Sequence, residues 1–293
     1  MFKGSIVALI TPMQPSGEVD YASLQRLVQF HVENGTDAIV SVGTTGESAT
    51  LPVTEHVEVV KKTVQFTDGA IPVIAGTGAN STQEAIDLGN EMQDLGVSGL
   101  LSVVPYYNKP QQRGMIAHFN AIADATSVPV ILYNVPSRTV ADIDNDAVAE
   151  LSHHKQIIGI KDATGDLSRL ADLKTKVADD FLLFSGDDLS GCEFLCNGGH
   201  GVISVTSNIA PALMSQMCKA AASGDFATAR EINEKLVELH TTLFIEPNPV
   251  IPKWALYKMG LAQYPTLRLP MVEPESTSQA TIEKLLQAMG ILA

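Results

Sequence analysis

A single lysine ends an apolar run. Ile157-Ile158-Gly159-Ile160 carries no charge and reads as a buried strand, with Lys161 as its last residue before the polar turn Asp162-Ala163-Thr164-Gly165-Asp166. An amine held where water is scarce is disfavoured as an ammonium ion. A neutral amine attacks a ketone to form a Schiff base. Taken alone, the segment better suits a snorkelling lysine, its stem packed and its head in water. Other chemistry-bearing residues reverse that balance. Further strand-like runs end in Gly43-Thr44-Thr45-Gly46-Glu47-Ser48, in Pro105-Tyr106-Tyr107-Asn108 and in Tyr133-Asn134-Val135-Pro136-Ser137-Arg138. Two more end in Ser185-Gly186-Asp187-Asp188 and around Ile203-Ser204. A Schiff-base enzyme needs an amine, proton shuttles for dehydration and enamine formation, and a clamp for a keto acid's carboxylate. Tyrosine and threonine hydroxyls both donate and accept, so a chain of them relays protons. Backbone N–H groups of the Gly-Thr-Thr-Gly turn, at a helix start, suit a carboxylate, and Arg138 offers a bidentate fork for a second one. Singly, each has a plainer reading. Gly43-x-x-Gly46 is also an ordinary strand-to-helix turn without the P-loop lysine, Tyr106 and Tyr107 hydrophobic cover, Tyr133 a core aromatic and Arg138 a solvated loop charge.

These residues need an architecture that gathers strand ends. Eight short β-rich runs are predicted, near Ser5–Ile10, Ala38–Val42, Pro72–Ala75, Leu100–Val104, Val130–Asn134, Ile157–Lys161, Leu182–Ser185 and Gly201–Val205. Helical periodicity falls between them, as at Tyr21–Asn34, Thr54–Thr67, Thr82–Leu95 and Gln112–Ala125. Alternation of apolar strand with helix argues for a parallel sheet covered by helices. Eight such units suit a (β/α)₈ TIM barrel, whose active site lies at the C-terminal ends of the strands. The barrel is expected over residues 1–224, closed by a helix at Pro211–Gly224. Residues 225–293 are expected to form a small C-terminal domain of three helices, Phe226–Phe244, Pro249–Met259 and Thr277–Met289, with Glu246-Pro247-Asn248-Pro249 as a break.

Composition excludes several classes. The chain has 293 residues, 45% hydrophobic and 18% charged, an ordinary globular balance. Its 33 acidic against 19 basic residues give a formal net charge of -14, which repels phosphate backbones and argues against nucleic-acid partners. No apolar run approaches a membrane span, and the N-terminal run stops at Thr11-Pro12, too early for a signal peptide. The three cysteines, Cys192, Cys196 and Cys218, form no C-x-x-C pair and suit reduced thiols in a cytoplasmic protein. Gly76-Thr77-Gly78-Ala79-Asn80-Ser81 only brushes against a dinucleotide fingerprint. The seven histidines lack zinc-ligand spacing, so metal catalysis has no support.

Gly43-Thr44-Thr45-Gly46-Glu47, Tyr133-Asn134-Val135-Pro136 and the Lys161 strand resemble the pyruvate-dependent class I aldolase family that includes N-acetylneuraminate lyase and dihydrodipicolinate synthase. Pro105-Tyr106-Tyr107-Asn108 and Ser137-Arg138 point to its synthase branch of the Gram-negative type. The similarity covers essentially the whole chain, including Gly186-Asp187-Asp188, Gly198–Ser204 and Glu246–Pro249. The resemblance implies condensation of pyruvate with L-aspartate 4-semialdehyde to 4-hydroxy-tetrahydrodipicolinate, the first committed step towards diaminopimelate and lysine. It implies that Lys161 forms the imine and that Tyr133, Thr44 and Tyr107 relay protons, Tyr107 coming from a neighbouring subunit across a tight dimer. Thr45, with the backbone at Gly186 and Ile203, would hold pyruvate, and Arg138 the aldehyde's carboxylate. No cofactor or metal is implied, because the lysine imine is the electron sink. A homotetramer, a dimer of dimers, is the family expectation. Feedback inhibition by L-lysine at the dimer interface is implied too, through Ser48, Ala49, His56, Asn80, Glu84 and Tyr106. Val53 departs from that site, where a histidine is usual. The competing enzyme reading is a sialic-acid or keto-deoxy-sugar lyase, against which Arg138 argues, since a sugar needs hydroxyl partners. A barrel retired to ligand sensing would have been signalled by loss of Lys161 or Tyr133, and both are present.

Overall fold

A computed structural model describes residues 2–292. Its centre is a closed barrel of eight parallel strands in sequential order. They are β1 (Gly4–Ala8), β2 (Ala38–Ser41), β3 (Val73–Gly76), β4 (Gly99–Val103), β5 (Val130–Asn134), β6 (Ile157–Asp162), β7 (Leu182–Ser185) and β8 (Gly201–Ser204). Closure comes from β8 pairing β1, with Ile203 opposite Ile6. Between the strands lie α1 (Tyr21–Glu33), α2 (Val53–Thr67), α3 (Thr82–Gln93), α4 (Gln112–Asp124), α5 (Pro136–Thr139), α6 (Asn145–Leu151), α7 (Leu167–Lys176) and α8 (Asp188–Cys196). After β8 come α9 (Pro211–Ala222), α10 (Phe226–Glu234), α11 (Val237–Thr242), α12 (Val250–Lys258) and α13 (Ser276–Ala288). This is the expected TIM barrel with C-terminal helices.

The strands alternate as the pleat demands. Ile6, Ala8, Val40, Ile74, Leu101, Ile131, Tyr133, Phe184 and Ile203 fill the barrel interior. The intervening residues Val7, Ile39, Ala75, Leu100, Leu132, Ile160, Leu183 and Val202 face the helices. That outer cluster continues into the C-terminal helices through Leu236, Leu239, Ile251, Leu256 and Ile282. Residues 248–268 are thereby anchored against the barrel, and they reach its mouth.

Beyond residue 225 the helices number four among the described residues, where three were expected. The run Phe226–Phe244 breaks at Lys235 and Leu236, where the backbone tightens to i→i−3 hydrogen bonds (Lys235 N–H to Ile232 O, 3.1 Å; Leu236 N–H to Asn233 O, 2.8 Å). The break re-aims the helix so that Leu236, Leu239 and Leu243 are all fully buried. A continuous amphipathic pattern hides such a tightened turn, because the apolar stripe survives it.

Candidate active site

Lys161 and Tyr133 are register partners on β6 and β5. Both are nearly buried, at 6% and 7% exposure, and Lys161 Nζ sits 4.1 Å from the centre of the Tyr133 ring. The strand runs one residue beyond Lys161, because Asp162 still pairs with Asn134 and Ser185. The Asp162 carboxylate accepts from Arg169 Nε (2.9 Å), Thr164 N–H (2.8 Å) and the Thr164 hydroxyl (2.5 Å). Asn134 donates to Asp142 (2.8 Å) and accepts from Ile143 N–H (3.3 Å), and Arg169 donates to Ile143 O (2.7 Å). This charge-assisted network clamps the ends of β5 and β6. The amine and the phenol therefore stand on a rigid frame.

Gly186, just past β7, makes the room for the lysine. A Cβ there would lie 2.7 Å from Lys161 Cε and 2.8 Å from Ala163 Cβ, closer than real contacts allow. Its N–H is spent on Asp162 O at 2.7 Å, so what Gly186 gives the site is clearance and not an anion-binding donor. Ile203 is 1% exposed and packs in the barrel interior with Tyr133 and Phe184.

The turn after β2 carries Thr44 and Thr45 over the mouth. It opens on Val42 at φ 54°, unusual for a β-branched residue. Gly76 on β3 permits it, since a Cβ at Gly76 would collide with Val42 O. Only part of this turn is closed by its own backbone bonds. The N–H groups of Gly46 and Ser48 bond Gly43 O (3.0 and 3.3 Å), and that of Glu47 bonds Thr44 O (3.1 Å). A three-residue 3₁₀ turn, Ser48–Thr50, comes next, and α2 begins only at Val53. Within Gly43–Glu47 the N–H groups of Gly46 and Glu47 are thus spent on the turn, while those of Gly43, Thr44 and Thr45 bond no other described residue and stand beside the two threonine hydroxyls.

Three links tie this turn to the C-terminal segment. Asn248 Nδ2 donates to Thr45 Oγ1 at 3.0 Å. Lys253 pairs with Glu47 at 2.5 Å, both side chains almost fully buried. Arg268 N–H donates to the other Glu47 oxygen at 3.0 Å, while its guanidinium grips Glu55 at 2.6 and 2.7 Å. Burial pulls the Lys253 ammonium down from the usual lysine range, and the facing Glu47 charge opposes that. Sequence reasoning passed over Asn248 and Lys253. Lys253 did leave a signal, as the one charge inside Val250-Ile251-Pro252-Lys253-Trp254-Ala255-Leu256.

The remaining expected residues divide. Arg138 lies on α5, exposed, its Nη2 donating to Asn248 O at 3.3 Å. Tyr107, at φ 71°, is 89% exposed, so its ring stands clear of the chain's own pocket. Ser48, Ala49, Asn80, Glu84 and Tyr106 come after the adjacent strands β2, β3 and β4, half-buried or exposed. His56 is buried, with Nε2 2.8 Å from Gly76 O, and burial lowers its pKa to about 4. Among the described residues one group has the atoms to hold a metal, Cys192, Glu193 and Cys196 on α8. Its carboxylate is already gripped by Arg230 at 2.6 and 3.0 Å, and burial pushes the Cys192 thiol up to about 12.

Comparison with known proteins gives concordant results. The model of the "Dihydrodipicolinate synthetase family" matches residues 1–289. The 4-hydroxy-tetrahydrodipicolinate synthase of Pseudoalteromonas atlantica is 62% identical over 293 residues, all of both chains. The chloride-inhibited dihydrodipicolinate synthase of Acinetobacter baumannii, solved with pyruvate, superposes with a TM-score of 0.98 at 46% identity over all of both chains. The enzyme of Cyanidioschyzon merolae, solved with lysine bound, gives 0.95 at 37% identity over 99% of both.

Proposed function

The chain belongs to the dihydrodipicolinate synthetase family, and from that membership we propose that Lys161 is the imine-forming amine. The enzyme is a lyase of lysine biosynthesis that condenses pyruvate with L-aspartate 4-semialdehyde to 4-hydroxy-tetrahydrodipicolinate. The observation that carries the assignment of roles is Lys161 itself, buried at a clamped strand end against Tyr133 and given clearance by Gly186.

The neutral amine attacks C2 of pyruvate, and water leaves the carbinolamine to give the imine. Tyr133 and Thr44, with Tyr107 of the partner subunit, hand the protons on. The imine draws electrons from the pyruvate methyl group, which loses a proton to become an enamine. The enamine carbon attacks the aldehyde carbon of the second substrate, whose carboxylate Arg138 holds. The substrate amine then closes on the imine carbon, and the bond to Lys161 breaks, restoring the amine. The near-complete exposure of Tyr107 supports a homo-oligomer in which this ring enters the neighbour's pocket. L-Lysine, bound near Ser48, Ala49, His56, Asn80, Glu84 and Tyr106, is the proposed inhibitor, a reading supported by the lysine complex of the Cyanidioschyzon relative. Among the described residues no helix is long and apolar enough to cross a membrane, and a cytoplasmic location accords with free cysteines.

The test is turnover of pyruvate with aspartate semialdehyde, coupled to NADPH oxidation through an added reductase, beside borohydride trapping with pyruvate alone. Wild-type enzyme turns over and traps one pyruvate on Lys161, whereas Lys161→Ala does neither and keeps its fold. A trapped adduct on any other lysine would remove Lys161 from its role.

A further inference from the structure

Asn248 is a buried amide at the mouth of the barrel, 4% exposed. Its Nδ2 donates to Thr45 Oγ1 at 3.0 Å, and its backbone O accepts from Arg138 Nη2 at 3.3 Å. Its Oδ1 is buried without a partner among the described residues. A buried amide oxygen left unpaired is a cost to the fold. Stability alone therefore does not account for the placement, and the useful half of the amide is its N–H.

The consequence lies in the hydroxyl it touches. A threonine hydroxyl has one proton to give and lone pairs to receive. Because Thr45 Oγ1 accepts from Asn248, its own proton is left to point elsewhere, and Thr45 donates it to no other described residue. Without that donor the Thr45 hydroxyl would be free to rotate about its C–O bond and turn its proton away. Asn248 is fixed in turn by its neighbours, since the helix immediately after it, α12, is pinned to the same turn by the buried Lys253–Glu47 pair.

We propose that Asn248 is a positioning residue that holds the Thr45 hydroxyl as a donor towards the pyruvate carboxylate. This rests on the reading of Thr45 as the pyruvate-holding residue. Through its backbone oxygen the same residue steadies Arg138, so one residue spaces the two carboxylate-binding groups, but only the side chain acts on pyruvate.

Asn248→Ala removes the amide and keeps the backbone oxygen, which separates the two effects. The expected result is a rise in KM for pyruvate of about tenfold or more, equivalent to about 1.4 kcal/mol, with KM for the aldehyde and kcat changed less than threefold. Asn248→Asp keeps the shape but turns the donor into an acceptor, so that Thr45 must donate to it; it gives the same rise if the Ala variant fails to fold. In a Thr45→Val background, which carries its own rise in pyruvate KM, Asn248→Ala adds nothing further. A full additional rise in that background would show that Asn248 acts by another route and overturn the proposal, as would an unchanged pyruvate KM in both single Asn248 variants. An unchanged pyruvate KM in Thr45→Val alone would instead remove the pyruvate role of Thr45, and the proposal with it.

Discussion

Replacing Gly186 by alanine adds one methyl group at the closest approach between the end of β7 and Lys161, the proposed imine-forming residue. That methyl would stand 2.7 Å from Lys161 Cε and 2.8 Å from Ala163 Cβ, with Lys161 Cγ at 3.0 Å. It is wedged on two sides, and the backbone is held by the 2.7 Å bond from Gly186 N–H to Asp162 O, so the strand end has little freedom to retreat. Restoring an ordinary 3.4 Å contact moves Lys161 Cε by about 0.7 Å. Overpacking of this kind costs about 1–3 kcal/mol of stability. Displacement of a reacting group by about 1 Å costs on the order of 100-fold in rate, so the expected loss in kcat/KM for pyruvate is roughly 10- to 100-fold. The assay pairs coupled turnover with the rate of borohydride-trappable adduct formation, both of which fall together. Gly114→Ala is the control: it lies on α4 with its nearest contacts at 3.5 and 3.7 Å, and it should gain about 0.5–1 kcal/mol with turnover unchanged. Turnover of Gly186→Ala within twofold of the parent would refute the steric reasoning.

The same geometry yields three other expected outcomes. Arg138→Ala should still trap pyruvate at the normal rate while its KM for aspartate semialdehyde rises by about tenfold or more; normal aldehyde kinetics would take Arg138 out of the site. Lys253→Met leaves Glu47 buried opposite an apolar chain and should cost about 3–5 kcal/mol in urea unfolding. Adding Glu47→Gln should return much of it, and a double variant as unstable as the single one would mean the pair is not the source. Burial holds His31 and His56 neutral, with pKa values lowered to about 3 and about 4, whereas in the unfolded chain both titrate near 6.5. Their neutral burial is without penalty above pH 6.5. Below it the unfolded state binds protons that the folded state refuses, so stability falls as pH drops from 6.5 towards 4. Each contributes about 1.4 kcal/mol per pH unit, or about 2 kcal/mol by pH 5. The depressed carboxyls of Asp172 and Asp225 start from 3.8 and do not yet titrate there. Equal urea midpoints at pH 7 and pH 5 would contradict this.

The range of the forces involved decides which features the sequence disclosed and which it concealed. A barrel strand is buried on both faces, so Ile157–Ile160 and Val130–Leu132 announce themselves as apolar runs, and the polar residues at their ends mark the mouth. Lys161 and Tyr133 were legible because each sits within one residue of such a run. The turn at Gly43–Glu47 was recognisable by its glycines, but the backbone geometry that shapes it was not. The turn opens on Val42 at φ 54°, and that conformation is given room by the absence of a side chain at Gly76, 34 positions along. No local pattern encodes that dependence. Asn248 is harder still. In the sequence it stands between two prolines and reads as a helix break; its importance comes from a hydroxyl 203 residues away. Lys253 and Glu47 are separated by 206 residues, and each alone resembles an ordinary helix or loop charge until burial forces them to pair. Backbone pattern thus revealed which residues could react. The residues that aim them are fixed by desolvation across distant segments, where a polar atom without water must find its one partner.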